Sequence, residues 1–237
     1  MKNVCKLMSV VLVSLCLMIG CATTNVTNQQ QLVSGKIPRP NNIWVYDFVA
    51  TPADVPAGSS LAGQYSAPPT PQTAQQIAEG RKVGAEIAAE LVAQIQAMGM
   101  PAAQATSQTT PQINDLVIRG YLLSVDTGSA EKRVAIGFSS GVSELKTAVE
   151  GFQMTPQGLR KLGSGTADSG GGKGPGVAAP AAVAVATGNP VGLIVSSGVK
   201  VYGEASGKSK IQGREDATVK EVADRLQARF QQEGWIQ

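Results

Sequence analysis

Val83, Ile87, Leu91 and Ile95 recur every four residues, with Gly80, Gly84 and Ala88 beside them. Residues four apart share one face of an α-helix. The spacing predicts an amphipathic helix over 72–98, with Glu79, Arg81, Lys82, Glu86 and Glu90 turned largely elsewhere and Gly99 as its stop. Gly80 and Gly84 stand at the spacing that allows close approach. In a segment with this many charges, close packing is expected on a sheet rather than between helices in a membrane.

Strands are readable on both sides. "NIWVYDFVA" (Asn42–Ala50) is a β-rich run bounded by Pro40 and Pro52. Asp47 interrupts it and is expected on the pleat opposite Val45. A polar group at the end of a strand is also where α/β sites often lie. Residues 51–71 hold five prolines and read as an exposed loop. "DLVIRGYLLSVDTG" (Asp115–Gly128) is a second strand, expected over 116–126. "SELKTAVEGF" then alternates, with Leu145, Thr147 and Val149 on one face and Glu144, Lys146, Ala148 and Glu150 on the other. Period two predicts a half-buried strand over 143–153. "MTPQGL" supplies a turn at Pro156 and Gly158, and 159–167 returns as a hairpin partner. Val219, Val222, Ala223, Leu226 and Phe230 mark a second helix over 216–233, capped by Asp216 or Thr218 and stopped by Gly234. Trp235 and Ile236 are expected to pin the C-terminus on the core. The fold class is α+β or α/β: a small β-sheet covered by two amphipathic helices.

The chain begins with "MKNVCK", a short positive stretch, followed by thirteen apolar or small residues, "LMSVVLVSLCLMI". Thirteen helical residues span roughly 20 Å, against a hydrocarbon core of about 30 Å. That is the size of a secretory leader, with the small residue Gly20 before its cut site. Met18-Ile19-Gly20-Cys21 resembles the bacterial lipobox. The resemblance implies cleavage after Gly20, a diacylglycerol thioether on Cys21 and N-acylation of its new amine. It also implies a palmitate-type membrane anchor. Ala22 after the cysteine implies sorting to the outer membrane, facing the periplasm. The expected organisation is a signal peptide over 1–20, a lipidated polar tether over 21–42, and one α/β domain over 43–237.

Within that domain, 174–203 is rich in Gly and Ala. No charge occurs in the 26 residues between Lys173 and Lys200. Pro180 and Asn189-Pro190 oppose one continuous helix, and arms of 12–14 residues reach only roughly 18–21 Å. The segment reads as an apolar helical hairpin. It either packs on the domain's own sheet or between subunits, or it self-associates through small residues and dips into the membrane.

What is missing restricts the chemistry. The chain has no histidine, which excludes Ser-His-Asp and Cys-His arrangements and histidine metal ligands. Cys5 and Cys16 fall in the leader, so Cys21 stands alone in the mature chain and no internal disulfide or thiolate zinc site forms. Gly137-x-x-x-Gly141 in "RVAIGFSSG" lacks the lysine of a phosphate loop. The mature chain carries 18 basic and 17 acidic residues, without the basic footprint of a nucleic-acid binder. Asp47, Asp115 and Asp126 remain for carboxylate chemistry, but no pattern brings two of them together.

The lipobox, the "VYDF" strand, the "VIRGYLLSVDTGSAEKRVAIGFSSGVSELKTAVE" block, the Gly/Ala segment and the ending "FQQEGWI" together resemble a group of bacterial lipoproteins, domain of unknown function 4410. The likeness spans most of 43–237 and implies an envelope lipoprotein without an assigned reaction. The order of elements also looks loosely like the N-terminal domains of the Tol-Pal translocation protein and the curli-secretion lipoprotein, a likeness of architecture alone. The resulting expectation is a non-catalytic binding or assembly module at the outer membrane. No cofactor, catalytic residue or metal site is expected. Its partners are the membrane, through the lipid on Cys21, and an envelope protein or a second copy of itself. The alternative is an oligomeric outer-membrane assembly or secretion component, with the Gly/Ala hairpin inserted or arranged in a ring.

Overall fold

Alternation along three consecutive strands produces the centre of the molecule. In the computed structural model, residues 24–56, 59, 73–126, 144–170, 199–200 and 208–237 are described. Strands β4 (Leu116–Asp126), β5 (Glu144–Thr155) and β6 (Gly158–Gly170) form an antiparallel meander. The β5–β6 hairpin turns at Pro156-Gln157, with Gly158 at φ 104° taking the conformation that a side chain resists. Strands β1 (Thr24–Gln31), β2 (Ile43–Val45), β3 (Ala102–Gln104) and β7 (Val199–Lys200) complete a seven-stranded mixed sheet. Its order is β1-β6-β5-β4-β2-β3, and β7 also pairs with β4. β2 runs parallel to both β3 and β4.

Two helices cover one face. α1 (Ala74–Ala97) links β2 to β3 and buries the expected stripe of Val83, Ile87, Leu91 and Ile95. A Thr73–Gln76 capping box starts it, and Gly99 at φ 79° follows its end. α2 (Lys208–Glu233) buries Val219, Val222, Ala223 and Phe230 in the same core. After Gly234, the Trp235 indole donates to the Ile37 carbonyl at 3.2 Å, and its ring lies 5.3 Å from that of Phe230. The C-terminus is pinned as the sequence suggests. Among the described residues no helix is long and apolar enough to cross a membrane.

Four expectations need correction. Residues 24–31 are not tether: they form β1 and pair with β6 from Thr24↔Ser169 to Gln31↔Gly163. At a sheet edge, backbone pairing holds a polar strand without an apolar face, so periodicity gives no warning. The run 42–50 keeps strand pairing only over 43–45 and at an isolated Val49–Tyr121 bridge. Between them the chain bends toward α1, and Phe48 N–H donates to the Gly84 carbonyl at 3.1 Å. α2 begins at Lys208, eight residues before the expected cap, so Asp216 and Thr218 are interior. No proline interrupts Lys208–Gln212, so nothing there stops the helix. Finally, Val199–Lys200, at the end of the expected hairpin, are a strand parallel to Val125–Asp126. The rest of 174–203, residues 1–23 and the 127–143 block lie outside the described residues, as does most of the 51–71 loop.

Gly84 bears out the close packing of α1 on the sheet side. A Cβ there would stand 2.0 Å from the Phe48 carbonyl oxygen.

The two helices also meet through acids. Glu215 is buried, and burial first, then Glu86, Asp216 and Glu79, push its carboxyl up to about 7; Lys82 acts in the opposite direction. The folded state therefore holds this proton while the unfolded state, near 4.5, releases it. Stability falls as pH rises through that window. Glu215→Gln should gain about 1–2 kcal/mol at pH 8, with the gain closing toward pH 4.5, when urea unfolding is followed across pH. A pH-independent difference would contradict this assignment.

Candidate functional site

The face of the sheet opposite the helices carries Val117, Arg119 and Tyr121 from β4 and Ala148, Glu150 and Phe152 from β5, paired in register as Val117↔Phe152, Arg119↔Glu150 and Tyr121↔Ala148. Glu150 was legible only as the polar side of an alternating strand, which implies water. It is 2% exposed. Lys161 on β6 reaches its Oε1 at 2.6 Å. The Tyr121 hydroxyl donates to Oε2 at 2.9 Å and lies 2.7 Å from Ser59 Oγ, itself 3.2 Å from Oε2. Burying a carboxylate is tolerable when a cation and hydroxyls satisfy it together. Burial above all raises the Tyr121 phenol well above its ordinary range, opposed by Ser59 and reinforced by the Glu150 charge, so the phenol stays protonated and acts as a donor.

Arg119 is different. Its guanidinium lies between the rings of Tyr46 and Phe152, 5.7 and 5.4 Å from their centroids. Cation–π contacts of this kind hold the group without consuming its N–H donors. Nε is buried with no hydrogen-bond partner, although Glu150 is its register neighbour. Glu150 is instead engaged by Lys161, Tyr121 and Ser59.

Arg119 lines a cavity of about 480 Å³ together with Tyr46, Asp47, Asp54, Arg81, Thr106, Ser107 and Tyr121. The segment after β2 forms one wall: Tyr46 N–H donates to the Ile118 carbonyl at 3.0 Å, and after a one-residue shift Val49 N–H donates to that of Gly120 at 2.8 Å. Gly120 gives the room, since a Cβ there would meet the Phe48 ring at 2.2 Å. On the rim, Arg81 donates twice to Asp54 at 2.9 Å, and this hydrogen bonding holds the Asp54 carboxyl below its usual range. Asp47 is exposed, as expected, and accepts from Gln104 Nε2 at 2.6 Å. A second, apolar cavity of about 200 Å³ lies between the sheet and α2, lined by Val26, Leu162, Leu226, Phe230 and Trp235 among others.

The acids read from sequence do not converge. Asp47 is on the cavity rim. Asp115 is buried elsewhere, accepting from the Trp44 indole at 2.9 Å and the Gln112 amide at 2.8 Å. Asp126 is the last residue of β4. Gly20, Cys21 and the 133–141 block fall outside the described residues. Sequence reading missed Arg119, Tyr46 and Phe152. The available signal was a lone arginine inside the apolar run "DLVIRGYLL". Among the described residues, no three of His, Cys, Asp or Glu gather to hold a metal.

The family described as a domain of unknown function (DUF4410) matches residues 43–188. Among solved structures, the chain is similar to a PelC dodecamer from Paraburkholderia phytofirmans, at 14% identity over 63% of this chain and 82% of that one, with a TM-score of 0.33. It is also similar to a variant PelC dodecamer from the same organism, at 15% identity over 73% and 95% of the two chains, with a TM-score of 0.35. No curated protein matches the chain.

Lys161→Met removes the cation from a carboxylate that stays buried, and should cost about 2–4 kcal/mol in urea unfolding. Adding Glu150→Leu to it should recover at least half of that loss. A single-variant cost within experimental error would contradict the reading of this cluster.

Proposed function

Since the chain belongs to the domain of unknown function family DUF4410, whose description carries no activity, we propose its function from its own residues: a lipid-anchored envelope protein whose domain binds an oxyanion-bearing partner without transforming it. The anchor is Cys21, acylated after cleavage behind Gly20, at the periplasmic face of the outer membrane. The binding group is Arg119, and the observation that carries this reading is a guanidinium over two aromatic rings, with an unpartnered Nε, in a side chain that lines the cavity. A planar fork of donors fits a carboxylate or a phosphate on two points.

Binding rather than catalysis is supported by how the neighbouring groups are used. Catalysis by a carboxylate needs an oxygen free to take or give a proton at the substrate. Asp54 is held by Arg81, Asp47 by Gln104 and Glu150 by Lys161, Tyr121 and Ser59. The Tyr121 phenol is kept from ionising. Among the described residues, each carboxylate near the cavity is already engaged, which favours holding a partner over moving a proton.

Two measurements test this. Intact mass of the purified product should show a chain starting at Cys21 with acyl additions; a chain retaining the leader or an unmodified Cys21 contradicts the anchor. Titration of the ¹⁵N-labelled domain with inorganic phosphate, and separately with acetate, should shift the Arg119 Nε resonance saturably in one or both arms. Arg119→Lys keeps the charge but loses the fork, and should weaken binding about tenfold or more, in line with loss of a charge-assisted hydrogen bond. No shift in either arm would overturn the oxyanion site.

A further inference from the structure

β1 begins close to the cysteine read as the lipid site. Only Ala22 and Thr23 separate Cys21 from Thr24, the first residue of β1. Three residue steps reach at most about 11 Å even when fully extended. A lipid on Cys21 therefore leaves no free tether of 21–42 on which the domain could stand away from the bilayer.

Strand register then decides which part of the domain faces down. Thr24 pairs with Ser169, Gly170 with Glu144, Glu144 with Asp126, and Asp126 with Lys200. One end of the sheet thus gathers the start of β1, the end of β4, the start of β5, the end of β6 and the end of β7. The β5–β6 turn lies at the other end, across the 12 residues of β5. At about 3.4 Å per residue, that separation is roughly 35–40 Å. β6 ends and β7 lies at the Thr24 end, so the sequence between them, which includes the 26 uncharged residues between Lys173 and Lys200, begins and ends there. So does the sequence between β4 and β5.

We propose that this end of the sheet, marked by Thr24, Asp126, Glu144, Gly170 and Lys200, is a membrane-facing surface that lies on the lipid headgroups, with the Pro156-Gln157 turn projecting away. The proposal rests on acylation of Cys21 as read above. The partner is a lipid surface, and the strand ends alone set the orientation. Arg119 is seven residues along β4 from Asp126, roughly 24 Å from the lipid at strand spacing. Its cavity is therefore held near the bilayer yet open to water.

The test uses the full lipidated chain in phosphatidylcholine–phosphatidylethanolamine vesicles. With the leader removed and Cys21 acylated, an introduced cysteine is the one thiol available for labelling. Asp126→Cys and Gln157→Cys are each labelled with an environment-sensitive fluorophore, and quenching is read with lipids brominated on their acyl chains. The 126 label should be quenched several-fold more than the 157 label. Inserting a Gly/Ser segment of 15 residues between Cys21 and Thr24, about 20 Å of coil, should erase most of that difference. Equal quenching at the two sites, stronger quenching at 157, or indifference to the insertion would overturn the orientation in a chain whose mass shows acylated Cys21. If the mass shows Cys21 unmodified, it is the anchor that fails, and the orientation with it. Gln157 sits in an exposed turn, so its variant retains the fold even where a strand-end substitution does not.

Discussion

Everything around the cavity depends on one close approach, where residues 46–50 pass between a helix and a strand that both yield a glycine. Gly84 accepts the Phe48 N–H and leaves no room for a methyl group against the Phe48 carbonyl. Gly120 makes the same concession to the Phe48 ring. Filling either space would force a shift of packed neighbours, which well-packed interiors resist. The contact bends the chain out of the β2 ladder and returns it at Val49, whose carbonyl accepts from Leu122 N–H at 2.8 Å. Tyr46, still in the ladder through its bond to Ile118, and Asp47 beside it thereby line the cavity that Arg119 also lines.

On that face two charges of opposite sign are register neighbours, and the structure treats them differently. Glu150 is buried and given a lysine and two hydroxyls. Arg119 is given two aromatic rings and keeps its donors. Asp47, Asp54 and Glu150 are each engaged by a neighbour, while the Arg119 guanidinium lies over two rings beside the cavity.

The elements legible in the sequence were those in which a period meets a buried face. The Val83–Ile95 stripe, the Leu145–Val149 alternation and the Phe230–Trp235 closure lie where the spacing puts them. β1 was hidden because "TNVTNQQQ" has no apolar period and is held by backbone pairing to β6. The break in β2 was hidden because it is imposed by a helix carbonyl more than thirty residues away. The site was hidden for a related reason: Tyr46, Arg119 and Phe152 come from three separate stretches of chain, and only the pairing of the β2 segment with β4, and of β4 with β5, brings them together.

Amide hydrogen exchange at Phe48 and Val49 tests the governing contact most directly. These residues lie outside any continuous strand, so as an ordinary loop they would exchange quickly; as a wedge bonded to Gly84 and Gly120 they should be among the slowest amides, opening only with the core. Protection equal to that of β4 is the predicted result. Exchange as fast as in the exposed Thr106–Thr110 loop would contradict the account.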